Sequence, residues 1–278
     1  MSNLVIYHAD CPDGFTAAWV FHRWFKASPA DHEVEFYAAK HGDPPPDVKG
    51  RMVYIVDFSY PRDVLLRMHE EAEHLQVFDH HVTAQGDLEG LDFCTFDMER
   101  SGAGIAWDEL FPDEPRSTLV SYVEDRDLWR FALPHSKEVN AVYQSHPWTF
   151  EALDSLDETP IESLVSQGKA IVRFTDKLVE TSVTYAEEVV IDGSGVLMVC
   201  SWLPQLRSVL GSRLCQGRPF SVIWWPRADG AVGLSFRSTD EGRDVAEIAK
   251  AFGGGGHRNA SGAMTDNLSD LFQLKLRT

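Results

Sequence analysis

Cysteine is scarce in this sequence: Cys11, Cys94, Cys200 and Cys215 are the only four in 278 residues, and none forms a C-x-x-C pair. Neither a disulfide framework nor a cysteine zinc site is indicated, and a reducing, cytoplasmic setting is expected. Long apolar runs are absent too. None approaches the ~20 residues needed to cross a bilayer, so no membrane partner is expected. The opening MSNLVIYHADCPDG lacks a basic flank and turns acidic too early for a secretory signal. Basic residues are also few: 25 Lys and Arg against 43 Asp and Glu give a formal net charge of −18. Such a field repels long duplex nucleic acid, whose binding depends on neutralising many phosphates. Short anionic substrates remain compatible where a few local cations hold them, and those cations can be metals. A solvated acidic surface accounts for most of the excess.

What is present is the balance of a globular chain, 44% hydrophobic and 24% charged, with room for one large domain or two ordinary ones. LVIY (4–7), MVYIV (52–56) and the weaker LQVF (75–78) are short apolar runs of the kind that form strands buried on both faces. Between the first two, Phe15, Ala18, Trp19, His22 and Phe25 recur at helical spacing; between the second and third, a segment opening at Pro61 places Val64, Leu65 and Met68 on one face. Strand–helix alternation of this type implies a βαβ architecture with a mainly parallel sheet.

Each of these strands ends in metal-friendly residues. The first runs into His8, Asp10 and Asp13, the second into Asp57, and the third into Asp79, His80 and His81. Ligands of open parallel sheets bind at the carboxyl ends of the strands. Three strand ends thus deliver carboxylates and imidazoles to one sheet edge, and LVSYVEDRDLWRF (119–131) adds Asp125 and Asp127. Carboxylate and imidazole donors suit Mn²⁺, with Mg²⁺ or Co²⁺ as substitutes. Two such ions about 3.5–4 Å apart would polarise a phosphoryl group and activate water. They would also relieve the mutual repulsion of clustered aspartates.

The segments HADCPDG, VYIVDFS, FDHH and YVEDRDLW, in this order and strand context, resemble the four motifs of the DHH phosphoesterases over roughly residues 4–131. The superfamily includes nanoRNases, a single-strand DNA exonuclease, phosphatases of adenosine bisphosphate, cyclic-dinucleotide phosphodiesterases and manganese pyrophosphatases. The resemblance implies His8, Asp10, Asp13, Asp57, His80 and Asp125 as metal ligands. It also implies His81 as the residue facing the substrate phosphate, with Asp79 orienting His80. The first motif departs from the family pattern, in which two aspartates are separated by one residue: here Asp10 and Asp13 are separated by two, and position 15 is Phe. Either one metal position is altered or a residue is inserted. In the fourth motif Asp125 is preferred over Asp127 because it directly follows the apolar helical face.

Residues 131–160 lose periodicity, and 161–190 read as one long helix or two, a connector. GVLMVC (195–200), FSVIWW (220–225) and AVGLSF (231–236) read as strands, the last two joined by a hairpin at Asp229-Gly230. The expected organisation is a catalytic metal-binding domain over 1–150, a helical connector over 151–190 and a smaller α/β domain over 191–278. In the tail, four glycines (253–256) precede His257 and Arg258. By composition they suit either a linker or a backbone nest for phosphate. The stretch resembles the Gly-Gly-Gly-His signature of the DHH-associated C-terminal domain, and FRS (236–238) resembles its substrate-contacting strand. That likeness implies Arg237, Ser238, Gly254, Gly255, His257 and Arg258 as substrate-binding residues, with the active site in an interdomain cleft.

The expected activity is therefore Mn²⁺-dependent hydrolysis of phosphate esters in short single-stranded oligonucleotides or small nucleotides, in the manner of a nanoRNase or a 3′-phosphoadenosine 5′-phosphate phosphatase. A cyclic- or linear-dinucleotide phosphodiesterase is the alternative, and a non-catalytic nucleotide-binding protein on the same scaffold a further one. A homodimer is left open.

Overall fold

The computed structural model describes residues 2–30 and 32–275. The chain divides into two compact units, with the boundary between Val172 and Arg173. The first contains β1 (Asn3–His8), α1 (Pro12–Ala27), β2 (Val34–Ala39), β3 (Met52–Val56), α2 (Arg62–Glu71), β4 (His74–Asp79), α3 (Val82–Asp87), β5 (Cys94–Phe96), α4 (Gly102–Leu110), α5 (Thr118–Asp127), α6 (Ser136–Ser145) and α7 (Phe150–Asp157). The boundary falls inside α8 (Ile161–Val183), so residues 151–190 comprise most of α7, all of α8 and most of a following strand.

All five strands of the first unit run parallel, in the order β2-β1-β3-β4-β5. Both faces of this sheet are buried, which is why its central strands read as unbroken apolar runs. Val5, Val56 and Phe78 face a core with Trp19, Phe21, Ile105 and Val120. Their neighbours Leu4, Ile6, Ile55 and Val77 face a second core with Leu65, Met68 and Leu88. β2 is the strand that apolar runs do not reveal. As an edge strand it is only partly buried, and Glu35 interrupts VEFYAA. The chain leaves β1 for β2 on one side and returns to β3 on the other. That reversal opens a crevice at the carboxyl ends of β1 and β3, where such folds bind ligands.

The second unit holds β6 (Glu187–Ile191), β7 (Ser194–Cys200), α9 (Pro204–Leu214), β8 (Ser221–Pro226), β9 (Val232–Arg237), α10 (Val245–Lys250), β10 (Gly255–His257) and β11 (Ala260–Thr265). Its sheet runs β10-β11-β9-β8-β7-β6, with β7 and β8 parallel and the other neighbours antiparallel. Val222 and Phe236 pack on one face with Val245 and Ile248, while Ile223 packs on the other with Leu206 and Leu210. The helix expected to reach residue 190 stops at Val183, because the β-branched run Val189–Ile191 pairs with β7 instead. The glycine run is not a linker. Its last two residues open β10, Gly254 N–H donates to Ala249 O, and a Cβ on Gly254 would lie 2.1 Å from Gly262 O.

Candidate metal centre

Three adjacent strand ends build the site. β1 finishes at His8, β3 runs directly into Asp57, and β4 finishes at Asp79 with His80 and His81 next in the chain. Asp57 adopts a left-handed backbone, φ 52°, which aspartate tolerates better than most residues. Its N–H remains tied to Phe78 O at 2.9 Å. Its carboxylate serves two sides: Oδ2 lies 3.5 Å from His8 Nδ1, and Oδ1 lies 3.1 Å from His80 Nε2. His80 Nε2 is also 3.4 Å from Asp127 Oδ2 and 3.9 Å from Asp13 Oδ2. Asp13, Asp57 and His80 are almost wholly buried.

Asp13 stands at the start of α1, but α4 fixes it. Gly102 N–H and Ala103 N–H donate to its two oxygens at 2.6 and 3.2 Å, so a helix N-terminus holds the carboxylate. Ser101 caps that helix by accepting from Gly104 N–H. Gly102 is required by close approach: a Cβ there would sit 2.5 Å from Asp57 Cβ.

Asp79 lies beside Asp57 and His81, the ligand atoms of the three being within 4.8 Å of one another. Its Oδ1 accepts from His80 N–H at 2.7 Å and lies 2.7 Å from His81 Nδ1, while Oδ2 accepts from Ser59 Oγ at 2.6 Å. The expected role is thereby corrected: Asp79 orients the ring of His81 and takes only the backbone of His80. Bonding Asp79 at Nδ1 fixes the His81 ring through one of its two nitrogens.

The charges are tightly opposed. Burial, with Asp57 and Asp127 nearby, pushes Asp13 well above the usual carboxylate range. Burial likewise raises Asp127, with Asp57 adding to it. Burial acts to raise Asp57 as well, but the His8 and His80 imidazoles outweigh it and hold Asp57 well below that range. Burial acts to lower His80, yet Asp57, Asp127 and Asp13 together push it up to about 10. Crowding of this kind suits added positive charge. His8 Nδ1 and Asp57 Oδ2 are both buried without a hydrogen-bond partner. Besides Asp57, Asp79 and His81, two sets of donors have atoms within 4.8 Å of one another: His8, Cys11 and Asp57, and Asp13, His80 and Asp127. Asp57 touches both. Orphaned donors and crowded carboxylates fit a pair of divalent cations.

In the second unit, Arg258 donates to the carbonyls of Thr239, Asp240 and Gly242 and to Asn259 Oδ1. Arg237 donates to Ser235 Oγ, Phe236 O and Ser208 Oγ. Ser238 Oγ lies 3.2 Å from Asn259 Oδ1. Gly254 packs against Gly262 and Ala263 of β11, Gly255 pairs with Gly262, and His257 is half-buried at the end of β10.

Residues 208–275 match the DHHA1 domain family. Across the chain, the DHH domain of a member of a ribosomal-protein family superposes with a TM-score of 0.65 at 14% identity, covering 99% of this chain and 88% of that one. The exonuclease RecJ bound to manganese gives a TM-score of 0.57 at 15% identity, covering 98% and 88%. The chain carries a DHHA1 domain over residues 208–275 and shares its fold with DHH-domain proteins. An uncharacterized protein of Acanthamoeba polyphaga mimivirus is 29% identical over an alignment of 285 positions, which takes in 94% of this chain and 66% of that protein. The chain thus spans about two thirds of that relative's length.

Of the six residues expected as metal ligands, His8, Asp13, Asp57 and His80 are brought together and two are not. Asp10 turns outward with φ 57°, largely exposed and 2.9 Å from Lys40 Nζ. Cys11, which a count of cysteine pairs passes over, is the first-motif side chain that instead joins His8 and Asp57. Asp125 is buried because it accepts from Ala132 N–H and Leu133 N–H, folding the chain after α5 back on itself. Two residues further, about 200° around the helix, Asp127 reaches His80. The amides of Gly102 and Ala103 are a part of the site that motif reading misses; their signal is the Ser101-Gly102-Ala103-Gly104 run at a helix start. In the DHHA1 unit, the Arg258 guanidinium is bonded to carbonyls of the 239–242 turn.

Proposed function

We propose that the protein is a divalent-metal-dependent phosphoesterase acting on short single-stranded oligonucleotides or small nucleotides, with Mn²⁺ as the working ion. The observation that carries this reading is Asp57, whose two oxygens face different imidazoles in a buried cluster with Asp13 and Asp127. His8 and Asp57 would hold one ion, and Asp13, Asp57, His80 and Asp127 the other. Bound there, divalent cations supply Lewis acidity at a phosphoryl oxygen and acidify water. The chain supplies the rest. The α4 amides hold Asp13 in place, Asp79 and Ser59 fix the orientation of His81, and His81 presents its other ring nitrogen as a donor to the phosphoryl group. Burial at the strand ends limits competing water. The DHHA1 unit selects among substrates.

The net charge of −18 supports a short substrate over a long duplex. The test is metal content of the purified protein, with product analysis on labelled RNA of two to about twenty nucleotides beside 3′-phosphoadenosine 5′-phosphate and cyclic dinucleotides. Metal uptake with Mn²⁺-dependent cleavage of the shortest RNAs is expected. Preference for cyclic dinucleotides would reassign the substrate, and metal-independent or absent hydrolysis would end the proposal.

A further inference from the structure

The first-motif turn places a thiol where a carboxylate was expected. Asp10 takes the left-handed conformation and its side chain leaves for Lys40, 2.9 Å away. The next residue, Cys11, is the N-cap of α1, a position that favours Ser, Thr, Asp or Asn because their oxygens cap the helix. Its side chain makes no capping hydrogen bond. Instead a ligand atom of Cys11 lies within 4.8 Å of those of His8 and Asp57. Two buried atoms 3.5 Å apart, neither with a hydrogen bond, mark the point these ligand atoms surround. Asp57, 1% exposed, leaves Oδ2 without a hydrogen-bond partner, and His8 Nδ1 is buried and equally unpartnered. A cysteine serving only as a small apolar filler would not sit among orphaned polar atoms.

We infer that Cys11 is itself a metal ligand, binding as the thiolate beside His8 and Asp57, so that the two ions of the centre occupy chemically different sites. This rests on the metal-dependent reading above. One site is then sulfur, nitrogen and oxygen; the other, from Asp13, Asp57, His80 and Asp127, is mostly oxygen. Binding at the first releases the thiol proton to solvent as the metal–sulfur bond forms. A thiolate favours Co²⁺, Zn²⁺ or Fe²⁺ over Mg²⁺, while the carboxylate-rich site accepts Mg²⁺ or Mn²⁺.

Cobalt reads this directly. Chelator-stripped protein reloaded with Co²⁺ is expected to bind two ions and to show near-ultraviolet thiolate-to-cobalt charge transfer. Cys11→Ser should lose that band while retaining cobalt at the oxygen-rich site, and Cys11→Asp should restore two ions without the band. Far-UV circular dichroism checks that each variant is folded. In the wild-type protein, Co²⁺ or Zn²⁺ should slow iodoacetamide alkylation at Cys11 by about tenfold or more, as expected when a thiolate is sequestered. Cys94, Cys200 and Cys215 serve as internal controls in the same digest. A wild-type protein with two cobalt ions and no band, a band that persists in Cys11→Ser, or equal alkylation with and without metal would overturn the thiolate ligand. Failure of the wild-type protein to take up any cobalt would instead overturn the metal-dependent reading on which it rests.

Discussion

In the N-terminal unit, His8 Nδ1 and Asp57 Oδ2 are buried 3.5 Å apart with no hydrogen-bond partner; in the C-terminal unit, Arg258 lays its guanidinium against three backbone carbonyls and the Asn259 side chain. Both sets of residues belong to conspicuous polar motifs. Burying an unpartnered polar atom costs free energy, and folds retain such atoms where something else completes them. Arg258 asks for nothing more. The same kind of sequence signal therefore accompanies unpartnered buried atoms in one unit and a guanidinium bonded to backbone in the other.

The strongest way to break the comparison is at Asp57. Asp57→Asn removes the charge both groups share, so bound metal should fall and phosphodiester hydrolysis should drop about 10³-fold or more, several kcal/mol of lost stabilisation. Asp127→Ala should also cost metal. Asp125→Ala should leave metal content intact and lower unfolding free energy by about 1–3 kcal/mol, because two backbone donors lose a buried acceptor. Metal analysis and denaturant titration on the three proteins check this. Metal loss in Asp125→Ala with none in Asp127→Ala would reverse the assignment made from the structure.

His81→Ala separates charge stabilisation from metal binding. It should retain most of its metal and lose about 10²–10³ in turnover, the usual value of one oriented donor. Metal loss matching that of His80→Ala would place His81 among the ligands instead.

The third comparison lies within the DHHA1 unit. His257→Ala should leave hydrolysis of a nitrophenyl phosphodiester nearly unchanged while slowing a dinucleotide about threefold to tenfold, the worth of one remote hydrogen bond. The ratio of the two losses on one preparation is the readout. Equal losses would make His257 a support of the fold and not a reader of substrate.

Much of this was legible in the sequence, for physical reasons that also explain the gaps. Parallel strands buried on both faces must be continuously apolar, so β1, β3 and β4 and their polar ends stood out. β2 hid because an edge strand need not be. Asp125 and Asp127 differ by two residues, which on a helix is nearly opposite faces, and proximity to an apolar stripe favours the one that is buried because it holds the chain following α5. Cys11 hid because thiol counting looks for partners of the same kind, whereas its neighbours are an imidazole and a carboxylate from other strands. Hydrogen bonds to backbone leave little pattern in residue types: those that hold Asp13 show only as a Ser-Gly-Ala-Gly run at a helix start, and those that occupy Arg258 show none.

The smallest effect is expected at Arg258, and it tests the contrast from the opposite side. If its guanidinium ties the 239–242 turn to the β10–β11 hairpin, Arg258→Ala should lower stability and do little else. The side chain is exposed, so water replaces part of what is lost, and about 1 kcal/mol is expected. Arg258→Lys should recover only a fraction, because one ammonium does not span the carbonyls of Thr239, Asp240 and Gly242 as a planar fork does. Denaturant midpoints give the stability, and dinucleotide hydrolysis measured well below the midpoint gives the function. A shifted midpoint with unchanged kcat/KM places Arg258 in the scaffold. A tenfold loss on dinucleotide with no shift in midpoint would mean that the turn carbonyls release the guanidinium to substrate, and that the DHHA1 motif reads phosphate after all.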